Sequence, residues 1–306
     1  MSEDPTISVV IPTYYRNEYL RNTIESVQDQ KISDVEIIVV DGSENGHAKS
    51  VTESLGEITY VPQEKDRGPH AARSIGFGYS SGEYIQFLDD DDELLAGKFS
   101  RQLELFEAED RIDVVYCGTV HEGGKVVDPN PEIRGDVLVP ALKFKMPPCI
   151  PSTMLIRRSA VERIHPFDNF HAADDAGMKI ELARSSKFDF ISESLVRKGD
   201  PPQPYSSSIE HVTDKFYLLD RYRNTYEKNI DISEYNAIKS MLYKQLAERH
   251  LSRSIWSRQA VQAYYESLCY SPSPSIRNYI EFLSYLGGRP THTLIKSGWR
   301  KARGLF

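Results

Sequence analysis

The chain of 306 residues carries a net charge of −8 and a hydrophobic content of 40%, which is typical of one large globular domain or of a core with an appended module. The acidic balance argues against nucleic acid as the main partner, because phosphate neutralisation needs a concentrated basic face. Three widely separated cysteines signal neither a disulfide framework nor a zinc site. The start, MSEDPTISVVIP, has no basic n-region and only a short apolar run, so we expect a cytoplasmic protein without a signal peptide.

Short, β-branched apolar runs alternate with amphipathic stretches in the first part of the chain. The predicted strands are ISVVI (7–11), VEIIVV (35–40), ITYV (58–61), YIQFL (84–88) and DVVYC (113–117). The stretch NEYLRNTIESVQDQ between the first two predicts a helix with Tyr19, Leu20, Ile24 and Val27 on one face. Such alternation predicts an α/β fold with an open parallel sheet and right-handed crossovers.

Four of these strands run into polar segments, at the sheet edge where ligands bind in this class of fold. The segments are PTYYR, DGSEN, PQEKDRG and DDDDE. The last begins with residues 89–92, four adjoining aspartates that repel one another without a counter-charge. Hard carboxylate oxygens predict Mn²⁺ or Mg²⁺ as the neutralising ion, and such an ion accompanies a diphosphate. A solvated acidic loop is the alternative.

Taken in order, these motifs resemble the family 2 glycosyltransferases with the GT-A fold over residues 6–200. SVVIPTYYRNEYL is similar to the opening strand and helix of that family, and EIIVVDGS to its second strand. RGPHAARSIGFGYSSGEYIQFLDDDD resembles the segment that leads to the metal-binding Asp-x-Asp, and PSTMLIRRSAVERIHPFDNFHAADD the acceptor-side segment with an acidic pair. The resemblance implies a Rossmann-like, mostly parallel sheet flanked by helices.

The resemblance also implies roles for individual residues. The implied donor-binding residues are Pro12, Thr13, Tyr14, Asp41, Arg73, Asp89 and Asp90. Among these, Asp41 is expected to bind the base, and Asp89 and Asp91 fill the metal-binding positions. Asp174 and Asp175 fill the acidic pair, with Asp175 as the general base.

The residues alone leave other interpretations open. Asp41 could be a turn residue before a glycine, Arg73 a surface helix residue, and the acidic pair a helix start stabilised by the helix dipole. The chain also departs from the family pattern, with Tyr15 where asparagine is usual and one aspartate before Gly42 where two are usual. Both departures lie where the base is read, and uridine is the base that we expect.

The C-terminal third changes in character after the Pro- and Ser-rich stretch VRKGDPPQPYSSSIEH (196–211), since apolar residues there recur at helical spacing. We therefore predict a catalytic domain over residues 1–205 and a helical appendage over residues 206–306. The tail, GGRPTHTLIKSGWRKARGLF (287–306), is basic and carries apolar anchors. It predicts either a helix packed on its own protein or a peripheral contact with the inner face of an anionic membrane.

The functional expectation is a metal-dependent, inverting glycosyltransferase. It would move a hexose from a nucleotide-diphosphate sugar, UDP-linked, to a glycan or a polyprenyl-linked acceptor. One alternative is a sugar-phosphate nucleotidyltransferase, which needs a glycine-rich loop and a lysine that IPTYYRNEYL lacks. The other alternative is a non-catalytic nucleotide-sugar-binding module.

Overall fold

A computed structural model describes residues 5–32, 34–167, 173–199 and 207–303, with only the backbone described from residue 298 onward. These residues form two compact units, the first ending at residue 199 and the second starting at residue 207. The predicted boundary between residues 205 and 206 lies outside the described residues.

The first unit is built on one nine-stranded sheet in the order β3-β2-β1-β4-β8-β6-β9-β5, with β7 paired to β6. The strands are β1 (Ile7–Thr13), β2 (Val35–Asp41), β3 (Thr59–Pro62), β4 (Tyr84–Phe87), β5 (Glu93–Leu94), β6 (Val114–His121), β7 (Val126–Val127), β8 (Leu155–Arg157) and β9 (Phe188–Lys198). The pairs β1–β2, β2–β3, β1–β4 and β6–β9 are parallel. The mostly parallel sheet that the sequence predicts is therefore confirmed.

Four strands, β5, β7, β8 and β9, were not predicted, and β8 interrupts the parallel pattern. β8 lies antiparallel between β4 and β6. With only three residues it is too short to show a periodicity of its own. β5 and β7, of two residues each, were missed for the same reason.

Helices cover the sheet of the first unit. They are α1 (Asn17–Gln28), α2 (Lys49–Glu53), α3 (Gly68–Tyr79), α4 (Lys98–Ala108), α5 (Leu138–Leu142), α6 (Arg158–Glu162) and α7 (Asp174–Ala183). α1 buries Leu20, Ile24 and Val27 of the predicted face, whereas Tyr19, which was placed on the same face, is 37% exposed. α3 packs closely on β1 and β2, because a Cβ added at Gly76 would lie 2.3 Å from Val10 Cγ1.

The described residues of the second unit form helices alone. They are α8 (Ile209–Arg221), α9 (Arg223–Asn229), α10 (Ile232–Ser252), α11 (Arg258–Cys269), α12 (Ile276–Leu286) and α13 (Gly288–Arg303). A core cluster centred on Leu251, Tyr264 and Tyr285 joins α10, α11 and α12. The helical C-terminal region is confirmed. Among the described helices, none combines the length and the apolar character needed to cross a membrane.

Candidate active site

The carboxyl ends of β1, β2 and β4 bring the predicted donor-side residues to one edge of the sheet. Pro12 is buried within β1 opposite Val40, and Thr13 pairs in register with Asp41 at the end of β2. The hydroxyl of Thr13 donates a hydrogen bond of 2.8 Å to the carboxylate of Asp90, which follows β4. The polar segments predicted to meet at the carboxyl ends of these strands therefore lie together at one edge of the sheet.

Arg16 supplies one counter-charge to the acidic run. Its Nη1 lies 3.2 Å from Asp90 Oδ1 and 3.3 Å from Asp91 Oδ2. Burial raises the pKa of Asp90 to about 7, although Arg16 and the hydroxyl of Thr13 oppose that shift. Burial likewise raises the pKa of Asp91. The arginine lies in the PTYYR segment that the sequence singled out, but its pairing was not predicted.

Lys198, at the end of β9, supplies a second counter-charge. Its Nζ lies 2.9 Å from Asp92 Oδ2 and 3.4 Å from Asp89 Oδ2. The backbone N–H of Gly199 also donates to Asp92, at 3.0 Å. Burial opposes the ionisation of Asp89, yet Lys198 and Arg73 outweigh it and lower the pKa of Asp89. No local sequence signal marks Lys198. It lies on β9, which meets the acidic run only in the folded sheet, where β9 pairs with β5 directly after the run.

Arg73 joins the acidic run to the acidic pair. Its side chain is only 4% exposed, with Nη2 at 2.6 Å from Asp89 Oδ1 and Nη1 bonded to Asp174 Oδ2. Burial works against the charge, but the two carboxylates prevail and raise the pKa of Arg73. The surface-residue interpretation of Arg73 is therefore wrong, while its role in donor binding stays a prediction.

The acidic pair begins α7, and its two members face different surroundings. Asp174 points to Arg73 and is 12% exposed, and burial raises its pKa. Asp175 is 28% exposed and lies 3.3 Å from Lys179, one turn along the helix. Lys179 also donates to the carbonyl of Cys149, at 2.9 Å. Successive helical residues differ by about 100° in direction, so the more accessible carboxylate is that of Asp175.

Asp41 is engaged by its own loop. Its oxygens accept hydrogen bonds of 2.9 Å from the backbone N–H groups of Ser43 and Ala48, and one of 2.8 Å from the hydroxyl of Tyr60. The side chain is fully buried. This geometry favours the turn-residue interpretation, and contact between Asp41 and a base stays a prediction.

Two exposed tyrosines follow β1 beside this loop. Tyr14 and Tyr15 are 50% and 45% exposed, and their rings meet edge to face at 4.7 Å. The Tyr15 ring lies 5.2 Å from that of His47. Tyr15 adopts φ 54°, a left-handed conformation that asparagine tolerates better than other side chains. The departure from asparagine at this position therefore places a tyrosine with a strained backbone beside His47.

Three carboxylates of the acidic run could together hold a divalent cation. Asp89, Asp91 and Asp92 each offer a carboxylate oxygen, and these atoms lie within 4.8 Å of one another. Hard oxygen donors of this kind suit Mn²⁺ or Mg²⁺. Asp92 was not among the predicted ligands, because the Asp-x-Asp pattern selects alternate residues whereas the turn after β4 brings the fourth aspartate back to the first.

Comparison with known protein families assigns the chain to a class. The profile described as glycosyl transferase family 2 matches residues 8–165, more than half of the chain. The chain belongs to this family.

Two relatives illustrate the range of the match. A Campylobacter jejuni protein named GalNAc(5)-diNAcBac-PP-undecaprenol beta-1,3-glucosyltransferase is 39% identical over 105 residues, which cover 33% of this chain and 34% of that protein. An uncharacterized glycosyltransferase of Rickettsia bellii is 28% identical over 236 residues, covering 71% of this chain and 33% of that protein. The matches thus span about a third of the length of either relative.

Solved structures show the same fold. The mannosyltransferase PcManGT from Pyrobaculum calidifontis, in complex with GDP-Man and Mn²⁺, has a TM-score of 0.58 at 16% identity, covering 100% of this chain and 82% of that one. S. aureus TarS 1-349 in complex with UDP-GlcNAc has a TM-score of 0.55 at 14% identity, covering 96% and 92%. The predicted GT-A fold is confirmed.

Proposed function

We propose that this protein transfers a sugar from a nucleotide-diphosphate donor to a hydroxyl of a glycan or lipid-linked acceptor. The observation that carries the proposal is the chain of contacts from Asp89 through Arg73 to Asp174. These contacts connect the acidic run to the acidic pair at one edge of the sheet. The chain is a member of glycosyl transferase family 2, which supports reading the two acidic groups as parts of one site. The donor and acceptor sides of a transfer reaction then share one rigid frame.

The donor is proposed to lie along the ends of β1, β2 and β4. Tyr14 and Tyr15 offer ring faces and edges to a nucleobase, for which we propose uracil. Asp89, Asp91 and Asp92 would hold Mn²⁺ or Mg²⁺. A bound cation would neutralise charge on the diphosphate leaving group. Arg16 and Lys198, which are paired with the acidic run, add positive charge where a diphosphate would bind.

Asp175 is proposed as the general base on the acceptor side. It takes the proton of the acceptor hydroxyl as that oxygen bonds to the anomeric carbon, and the bond from that carbon to the nucleoside diphosphate breaks. A single displacement of this kind inverts the anomeric configuration. The partial exposure of Asp175 and its place outside the Arg73 contacts support this role.

A polyprenyl-linked acceptor is the class that we favour. The supporting observation is the name of the Campylobacter jejuni relative, a glucosyltransferase acting on a PP-undecaprenol-linked glycan. The match covers only a third of each protein, so the acceptor of this chain is proposed and is not taken over from the relative's name.

Donor binding tests the proposal directly. UDP and a panel of nucleotide sugars are titrated against the parent, Asp91→Ala and the exposed control Asp110→Ala, with Mn²⁺ or with EDTA. A ligand of the native state raises its melting temperature. We expect Mn²⁺-dependent binding of UDP in the parent and the control, and at least about tenfold weaker binding in Asp91→Ala, since one of three ligands is lost. A folded Asp91→Ala protein that binds UDP in Mn²⁺ as tightly as the parent contradicts the metal assignment.

A further inference from the structure

The outward side of α12 is apolar. We name this side the outer stripe, and its members are 42% to 79% exposed: Ile276, Tyr279, Ile280, Leu283 and Leu286. The opposite side of the same helix buries Glu281, Ser284 and Tyr285. A surface helix normally turns its apolar face inward and its charges outward. α12 therefore exposes a large apolar face, while its buried side holds a carboxylate and a hydroxyl beside the core residue Tyr285.

Specific contacts hold α12 in this orientation. The buried carboxylate of Glu281 lies 2.9 Å from Lys244 Nζ, and it accepts a hydrogen bond of 2.9 Å from the hydroxyl of Tyr264. Ser284 Oγ lies 2.8 Å from His292 Nδ1, which ties α12 to α13. Rotating the helix to bury its outer stripe would break both sets of contacts and leave Lys244 beside no carboxylate of α12. The exposed apolar side is thus a fixed feature of the fold.

The outer stripe continues onto neighbouring exposed residues. Trp256, 55% exposed, donates its indole N–H to the carbonyl of Leu286 at 3.1 Å. The backbone N–H of Arg289 donates to the carbonyl of Ile255 at 2.7 Å. Ile255, Arg289 and Leu294 line one groove with Pro290, Thr293 and Ser297. We name the outer stripe together with Ile255, Trp256, Arg289 and Leu294 the C-terminal surface.

Charge indicates what the C-terminal surface contacts. Residues 276–303 contain six lysines and arginines and a single acid, Glu281, which is buried and paired. The chain as a whole has a net charge of −8, so this segment stands out as a basic region in an acidic protein. Lys296 is paired with Glu248, and the segment still keeps a net positive charge, so two copies of it would repel each other in a self-association. A planar anionic partner with an apolar interior satisfies both the charges and the outer stripe.

We propose that the C-terminal surface binds an anionic membrane, with the outer stripe at the boundary between headgroups and acyl chains. Exposed tryptophan and tyrosine beside aliphatic residues are the side chains favoured at that depth. The attachment is peripheral, through side chains of the described helices rather than through a span. This inference deepens the proposed function, since a polyprenyl-linked acceptor resides in a membrane. Its purpose rests on that function, whereas its geometry does not.

Vesicle binding of the full chain tests the inference without donor, acceptor or turnover. Parent protein is co-sedimented with vesicles of phosphatidylcholine alone or with about a third phosphatidylglycerol, at low and high salt. The test variant is Ile280→Gln with Leu283→Gln, and the matched control is Ile232→Gln, an isoleucine 73% exposed at the start of α10 and outside the C-terminal surface. Both tryptophans of the chain, Trp256 and Trp299, lie within residues 256–299, so a blue shift of intrinsic fluorescence reports on this region directly.

We expect binding to anionic vesicles with a blue shift, weakened by salt because surface charges are screened. The double variant should bind at least about tenfold more weakly, since burial of two large aliphatic side chains is lost, and the control should match the parent. Arg289→Gln should weaken binding to anionic vesicles only.

Equal partitioning of the double variant and the parent would overturn the inference, as would a dimer in solution that the double variant abolishes. Circular dichroism checks that the variants fold. If the double variant does not fold, vesicle binding of Leu283→Gln and the blue shift of the parent test the inference instead. UDP binding measured on the same proteins shows separately whether the proposed function stands.

Discussion

The two aspartates that start α7 are predicted to have separable functions. Asp175→Asn should lower the transfer rate by about 10²–10⁴-fold with UDP affinity near that of the parent, because a placed general base contributes that much. Asp174→Asn should weaken UDP binding as well, since it removes a carboxylate that orients Arg73 toward Asp89. Transfer rate, UDP affinity and melting temperature are measured for both variants side by side.

A merely structural acidic pair predicts another outcome. Carboxylates at a helix start stabilise the helix dipole, so both substitutions would then lower the melting temperature and leave turnover per folded molecule intact. A fully active Asp175→Asn protein would refute the proposed base.

Lys98 is a buried cation whose titration should be visible in stability. Its Nζ donates to Gln86 Oε1 at 2.5 Å and to Gln102 Oε1 at 2.7 Å, with neither contact to a carboxylate. Burial lowers the pKa of Lys98 from 10.5 to about 8. The folded protein therefore binds this proton more weakly than the unfolded chain does. The free energy of unfolding should rise with pH between about 8 and 10.5, by up to about 3 kcal/mol.

Urea unfolding from pH 7 to pH 10 measures this effect as a difference between variants. Lys98→Met removes the titrating group, so its stability should lack the rise that the parent shows. The exposed Lys65→Met keeps Lys98 and should follow the parent curve. Parallel curves for the parent and Lys98→Met would show that Lys98 has an ordinary pKa.

At the scale of elements, the seating of α3 on the sheet depends on one glycine. A Cβ at Gly76 would lie 2.3 Å from Val10 Cγ1 and 3.0 Å from Val40 Cγ2, so Gly76→Ala must push the helix away from β1 and β2. We expect a loss of about 1–3 kcal/mol in the free energy of unfolding. Gly78→Ala, in the same helix with no atom within 4 Å of the added Cβ, should instead gain up to about 1 kcal/mol through helix propensity. Denaturant unfolding of both variants decides; a Gly76→Ala protein as stable as Gly78→Ala would show that the contact relaxes freely.

Elements with a strong local pattern were predictable, and elements defined by neighbours were not. β1 and β2 could be read from the sequence because continuous β-branched runs are buried on both faces. β8 could not, since three residues carry no period. Spacing also predicted α12 as a helix, but periodicity does not say which side faces the protein, and the outer stripe faces solvent.

The same limit applies to the site. Strand order placed the acidic run at the ligand edge, because the carboxyl ends of parallel strands share that edge. The cations that pair with the run could not be predicted, since Arg16 and Lys198 come from positions 74 and 106 residues away from their partners Asp90 and Asp92. Pairing of that kind exists only once β1, β4 and β9 lie in one sheet.

At the scale of the whole molecule, we predict that the first unit alone binds the donor. All described candidate site residues lie before residue 200, within the unit that has its own core around β1, β2 and β6. A fragment of residues 1–202 should fold and bind UDP with Mn²⁺ within a factor of about three of the full chain. Calorimetric titration of the fragment and the full chain measures this. A folded fragment without UDP affinity would show that the second unit completes the donor site.

The late position of Lys198 has a consequence for biosynthesis. Asp92 leaves the ribosome 106 residues before the lysine that pairs with it. At translation rates of about 5–20 residues per second, the nascent acidic run waits for roughly 5–20 s without that partner. During this interval the strand order cannot close either, because β9 inserts between β6 and β5. A nascent chain arrested short of β9 would thus expose an incomplete sheet edge to chaperones.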